Sequence, residues 1–132
     1  MFKYDIVMLI EDNELDNFVN QKIIEGNNFA EKIYVNTSGK SALEFLQNIF
    51  INKDLVDNLM PSVIFVDINM PIMDGFQFIE NFETLLNMSS KKSKIVILTT
   101  SADPEDKNRT LRFKNDILFL NKPLTDESLQ LI

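Results

Sequence analysis

Four short apolar runs punctuate this chain, and each ends abruptly in polar side chains. Ile6 to Ile10 stops at Glu11-Asp12, and Val63 to Val66 stops at Asp67. Ile95 to Leu98 stops at Thr99-Thr100-Ser101, and Ile117 to Leu120 at Asn121-Lys122. Runs this short, rich in β-branched residues and bounded by punctuating residues, read as strands rather than helices. Unbroken apolarity, in place of alternation, marks strands covered on both faces. A fifth strand, Ile33-Tyr34-Val35, follows the charged Glu31-Lys32, which suits a place nearer an edge.

Segments of helical spacing separate these runs. Asn13 caps a first helix whose apolar positions Leu15, Phe18, Val19, Ile23 and Ile24 fall near helical spacing, and Gly26-Asn27-Asn28 stops it. Ser38 opens a second helix through Phe50, with Ala42, Leu43, Phe45, Leu46 and Ile49 on its inner side. Residues 51–61 either extend that helix or form a loop over the sheet edge. A third helix runs from about Phe76 to Leu86, with Phe78, Ile79, Phe82 and Leu85 facing in, and Ser89 to Ser93 is a solvated linker. Asp103-Pro104 starts a fourth in cap-then-proline order. Leu111 and Phe113 are its main anchors, so it is the most loosely held. Thr125 with Ser128 begins a last helix of about two turns. Strands alternating with helices predict an α/β fold, a doubly wound five-stranded parallel sheet with helices on both faces. Right-handed crossovers then bring all the strand ends to one edge.

Composition narrows the chemistry. The 132 residues suit a single domain spanning 1–132, without repeats or low-complexity tracts. Twenty acidic against thirteen basic residues, a net charge of -7, argue against nucleic acid or a membrane surface as partner. With no cysteine and no histidine, disulfides, thiolate nucleophiles, Ser-His-Asp catalysis and His-ligated zinc are excluded. Any metal must be hard and oxygen-ligated. The N-terminal apolar segment is interrupted by Asp5 and closed by Glu11-Asp12, unlike a signal peptide, so a cytoplasmic protein is expected.

The strand ends gain meaning together. Glu11, Asp12, Asp67, Thr99 and Lys122 come from four strands and meet at one sheet edge, where open α/β sheets place their ligands. Taken singly, each has an ordinary structural role: capping acids, a strand threonine, a solvated lysine. Three clustered carboxylates repel one another, and Mg²⁺ relieves that repulsion. Metal held by Asp12 and Asp67 would polarise a phosphoryl group arriving at Asp67. Lys122 would neutralise a phosphoryl oxygen, the Thr99 hydroxyl would donate to another, and carboxylate attack on phosphorus would give an acyl phosphate. Pro71 and Asp74-Gly75 hold the loop after Asp67 in a defined turn.

Four segments carry a family resemblance: Leu9 to Asn13, Val66 to Gly75, Ile97 to Ser101 and Leu120 to Pro123. Over almost the whole chain they resemble the receiver domain of bacterial two-component response regulators, of the flavodoxin-like fold and stand-alone type. The resemblance implies that Asp67 is the phosphoacceptor for a phosphohistidine on a sensor histidine kinase or histidine phosphotransfer protein. It implies that Asp12 and Asp67 bind Mg²⁺ with the backbone carbonyl of Asn69, and that Glu11 contributes through water. Thr99 and Phe119 would be the switch pair, and Lys122-Pro123 would carry a cis peptide. Phosphorylation would draw Thr99 inward and let Phe119 turn, altering a partner-binding surface around the fourth helix and fifth strand for a downstream protein. The only reactions catalysed would be the protein's own phosphorylation and dephosphorylation, and the expected state is a monomer or weak dimer.

The chain departs from the family's commonest pattern in places. Glu11 replaces the more frequent aspartate, Thr100 stands where a smaller residue is usual, and Phe119 lacks a tyrosine's hydroxyl. No glycine separates the fourth helix from the fifth strand, which leaves Asn115-Asp116 to turn, and the short last helix weakens the case for dimerisation. The alternative function is a receiver-like protein-binding module that works without phosphorylation; its mark would be loss of the acids, acceptor or lysine, and all are present. An aspartyl-phosphate hydrolase would need a second acid where Asn69 stands. A flavodoxin-like nucleotide binder would need a glycine-rich phosphate loop, which is absent from a chain with three glycines.

Overall fold

The computed structural model describes residues 1–132. Five parallel strands form one sheet in the order β2-β1-β3-β4-β5, with β1 at Tyr4–Ile10, β2 at Ala30–Asn36, β3 at Val63–Val66, β4 at Lys94–Thr99 and β5 at Ile117–Asn121. The short third run is thus the central strand. Its residues pair with Val7–Ile10 on one side and Lys94–Ile97 on the other, so both backbone edges are hydrogen-bonded. Successive side chains alternate between two cores. Met8, Ile10, Ile64, Val66, Ile95 and Ile97 pack on one face, and Val7, Leu9, Val63, Phe65, Val96 and Leu98 on the other. The first core is covered by α2 (Gly39–Ile49), α3 (Lys53–Leu59) and α4 (Gly75–Leu86). The second is covered by α1 (Glu14–Gly26) and α6 (Asp126–Leu129).

Helix starts follow their caps. Asn13, Ser38 and Asp103 accept from the backbone as expected, and Asp74/Gln77 and Thr125/Ser128 form reciprocal capping boxes. Several expectations change. The first helix buries only part of its apolar set: Ile24 is buried and Ile23 packs against the core, but Leu15, Phe18 and Val19 are exposed, and Asn17 and Asn20 are buried instead. Asn17 belongs inside because its Nδ2 donates to the Glu11 carbonyl at 2.9 Å, which fixes the helix rotation. β2 is longer than three residues because Tyr4–Ile10 supplies a full-length partner, and Glu31 and Lys32 lie within it. Residues 51–61 are neither an extension nor a loop, since Asn52 caps a separate helix, α3.

Phe45 sits at the rim rather than inside, its ring edge-on to Tyr34 at 5.0 Å. Ser93 is buried, its hydroxyl donating to the Pro61 carbonyl at 2.6 Å. The fourth helix of the sequence reading is α5, only Pro104–Arg109, followed by a 3₁₀ turn at Thr110–Arg112. That tighter turn leaves Leu111 exposed, so it is no anchor; Phe113 stacks on Phe76 and Arg109 lies over the Phe76 ring at 4.0 Å. No residue of α5 itself is buried. The last helix is a single turn.

Candidate functional site

The carboxyl ends of β1, β3, β4 and β5 converge as expected. Asp67 follows β3 directly, Glu11 and Asp12 follow β1, Thr99 ends β4, and Lys122 follows β5. Carboxylate oxygens of Glu11, Asp12 and Asp67 lie within 4.8 Å of one another. Glu11 and Asp67 are buried and Asp12 is exposed, so the cluster opens to solvent on one side. Lys122 Nζ is bound to three carboxylates: Glu11 Oε1, Asp16 Oδ2 at 2.8 Å and Asp67 Oδ2 at 3.1 Å. The other Asp67 oxygen, Oδ1, accepts from Asn69 N at 3.1 Å.

Two neighbours fix Asp67 from below. Asp67 N donates to the Ile10 carbonyl at 3.2 Å, continuing the central ladder past the strand end. Gly75, the first residue of α4, presses on the Asp67-Ile68 peptide: a Cβ there would stand 2.5 Å from the Asp67 carbonyl oxygen. Only glycine permits that approach. The loop between turns at Ile72, where Met73 N donates to the Pro71 carbonyl at 2.8 Å and Ile72 has a φ of 70°.

The remaining residues singled out from sequence fall around this centre. Thr99 is fully buried, and its Oγ1 accepts from Ser101 N at 3.3 Å and lies 3.5 Å from Asn69 Nδ2. Lys122 N donates to the Thr99 carbonyl at 2.8 Å, which ties the two strand ends. Phe119 is half-buried opposite Ile97, two positions before the Thr99–Asn121 pair, and therefore on the same face of the sheet as Thr99. The Lys122-Pro123 bond is cis. Thr100 and Asn69 are exposed.

Burial and charge oppose each other here. Burial pushes the Glu11 carboxyl up to about 7 from 4.5, against the hydrogen bond from Lys122, and the nearby Asp67 charge adds to the rise. For Lys122, burial favours the neutral amine, but hydrogen bonds to Asp16, Glu11 and Asp67 win and hold its ammonium above the ordinary lysine range. The donor set is all oxygen, strongly acidic and partly open, and it fits a hard divalent cation that keeps some water. Sequence reasoning missed Asp16. It lies in the first turn of α1, three residues after the Asn13 cap, where an acid reads as ordinary helix-start chemistry.

The model for the response regulator receiver domain matches residues 7–132. This chain belongs to that family. The receiver is similar to a two-component response regulator from Cytophaga hutchinsonii, at 32% identity and a TM-score of 0.83, over 96% of this chain and 92% of that one. Another similar structure is the receiver domain of the histidine kinase CKI1 from Arabidopsis thaliana, complexed with Mg²⁺ and BeF₃⁻. At 18% identity and a TM-score of 0.72, over 87% of this chain and 80% of that one, it shares the fold. The probable methanogenesis regulatory protein FilR2 of Methanothrix harundinacea (strain 6Ac) is 25% identical over 126 residues, 95% of this chain and 76% of FilR2. The receiver has no helix long and apolar enough to cross a membrane. Its cluster of Glu11, Asp12 and Asp67 fits a phosphorylation site.

Proposed function

We propose that the receiver takes a phosphoryl group onto Asp67 from a phosphohistidine of a sensor kinase or phosphotransfer protein. The observation that carries this reading is the approach of the Lys122 ammonium to Asp67, 3.1 Å, beside two further acids. An Asp67 oxygen forms the new P–O bond as the donor's N–P bond breaks, and the leaving imidazole takes a proton from solvent. Asp12 and Asp67, the Asn69 carbonyl and, through water, Glu11 would hold Mg²⁺, which supplies neutralisation of the phosphoryl charge. Lys122 turns one N–H to a phosphoryl oxygen, and the Thr99 hydroxyl donates to another. The CKI1 receiver, of the same fold, takes Mg²⁺ together with BeF₃⁻.

The donor docks on α1. Leu15, Phe18 and Val19 are exposed on the helix that starts two residues after Asp12, which gives the donor an apolar face on an element that begins at the site. Output follows from Thr99 and Phe119: drawing Thr99 toward the phosphoryl group changes the packing of Phe119 and the surface of α5 and β5. The receiver acts on no substrate but itself. Incubation with acetyl phosphate and Mg²⁺ tests this, with one acid-stable, base-labile phosphate expected per chain. Labelling that persists in Asp67→Ala overturns the assignment.

A further inference from the structure

Asp16 is bound to the site but stands outside its acidic cluster. Its bond to Lys122, 2.8 Å, is shorter than the 3.1 Å from the same nitrogen to Asp67. Its backbone is also fixed. Asp16 N donates to Asn13 Oδ1 at 2.9 Å, and Asn13 N donates to Glu11 Oε2 at 3.3 Å. The Glu11 carboxylate and the Asp16 backbone are therefore linked through the helix cap. An ammonium has three donors and no acceptor, carried on a flexible four-carbon stem. Glu11, Asp16 and Asp67 use all three.

We propose that Asp16 is a positioning residue that aims Lys122. With Glu11 it keeps two of the three N–H groups, so only the one on Asp67 has to turn to an incoming phosphoryl oxygen. The inference rests on the phosphoacceptor reading of Asp67. Charge repulsion would predict the opposite effect, because a fourth carboxylate disfavours a phosphoryl anion. Asp16's side chain is 37% exposed and its charge is screened by water, whereas Lys122, at 10%, is held in a nearly buried site. Positioning outweighs repulsion.

The test compares wild type, Asp16→Ala and Asp16→Asn, titrated with beryllofluoride in Mg²⁺, with the mobility of the Lys122 side-chain methylenes followed by NMR. Asp16→Ala is expected to weaken beryllofluoride binding about three- to tenfold, the cost of immobilising one long side chain again. Asp16→Asn keeps an acceptor oxygen and loses less, and it carries the same comparison if the alanine variant does not fold. Lys122 becomes more mobile in Asp16→Ala. Unchanged or tighter binding in the variants overturns the inference, as does weaker binding with Lys122 mobility unchanged. Wild type that takes up no beryllofluoride overturns the phosphoacceptor reading as well.

Discussion

At the scale of single residues, two positions after Asp67 shape the loop that follows it by opposite means. Gly75 works by having no side chain, since any Cβ would meet the Asp67 carbonyl and Ile68 Cα at 2.5 and 2.7 Å. Both obstacles are backbone, so relief requires moving the peptide that carries the Asp67 carboxylate. Gly75→Ala is expected to cost about 1–3 kcal/mol in urea unfolding, as overpacking does. It should also slow labelling by acetyl phosphate, because Asp67 moves with the peptide. Ile72 carries the strain instead. A β-branched residue at a φ of 70°, in a three-residue turn closed by Met73 N on the Pro71 carbonyl, is held there by its neighbours. It is 97% exposed, so its side chain contributes no burial in exchange. Ile72→Asn, which tolerates the left-handed region, is expected to stabilise the protein by about 1 kcal/mol in the same assay. A loss of stability would mean that Ile72 makes contacts the fold depends on.

The elements differ in how openly the sequence announced them. β3 and its neighbours were legible because a buried parallel strand needs an unbroken apolar run, and Val63 to Val66 has no other use. The site was legible for the same reason, since the polar residue ending each run had to share one sheet edge. α1 was less legible because three of its five apolar residues, Leu15, Phe18 and Val19, face outward. Periodicity reports that a helix has an apolar side, while the direction of that side was set by Asn17 bonding to the Glu11 carbonyl. An outward apolar face predicts a separable role. Phe18→Ala is expected to change stability by less than about 0.5 kcal/mol, as surface substitutions do. Phosphotransfer from a phosphohistidine donor should fall about tenfold, with acetyl phosphate labelling unchanged. A parallel fall in both rates would argue against docking on α1. Leu111 was misplaced because the helix tightens into a 3₁₀ turn at Thr110, after which a period of 3.6 no longer applies. With no buried residue of its own, α5 is held through Arg109 and the following Phe113, both against Phe76. Its amides are expected to exchange hydrogen by local opening, well before those of α4, whose Phe78, Ile79, Phe82 and Leu86 are fully buried.

Over the whole molecule, the acids that suit the site to a cation also burden the fold without one. Glu11 is buried, is linked to Lys122, and releases its proton only near pH 7 rather than 4.5. Below pH 4.5 both folded and unfolded chains hold the proton, and this group leaves stability unchanged. Between 4.5 and about 7 the unfolded chain has released it while the folded one retains it, so stability falls as pH rises. Above that window Glu11 is ionised in both states, and the net cost of its ionisation in the fold is fully present, on the order of 3 kcal/mol for a shift of this size. In a metal-chelating buffer the urea midpoint is therefore expected to fall between pH 5 and pH 7.5. Mg²⁺ should restore part of the loss at the upper end, because a cation beside three carboxylates favours the ionised form. At pH 6 the added cation favours loss of the Glu11 proton, so calorimetry in buffers of different ionisation enthalpy should record proton release, and at pH 8 it should record little. In Glu11→Gln the proton release should vanish and the midpoint should vary less with pH. If that variant kept the wild-type pH dependence, another group would be responsible, and the burial of Glu11 would not link cation binding to stability.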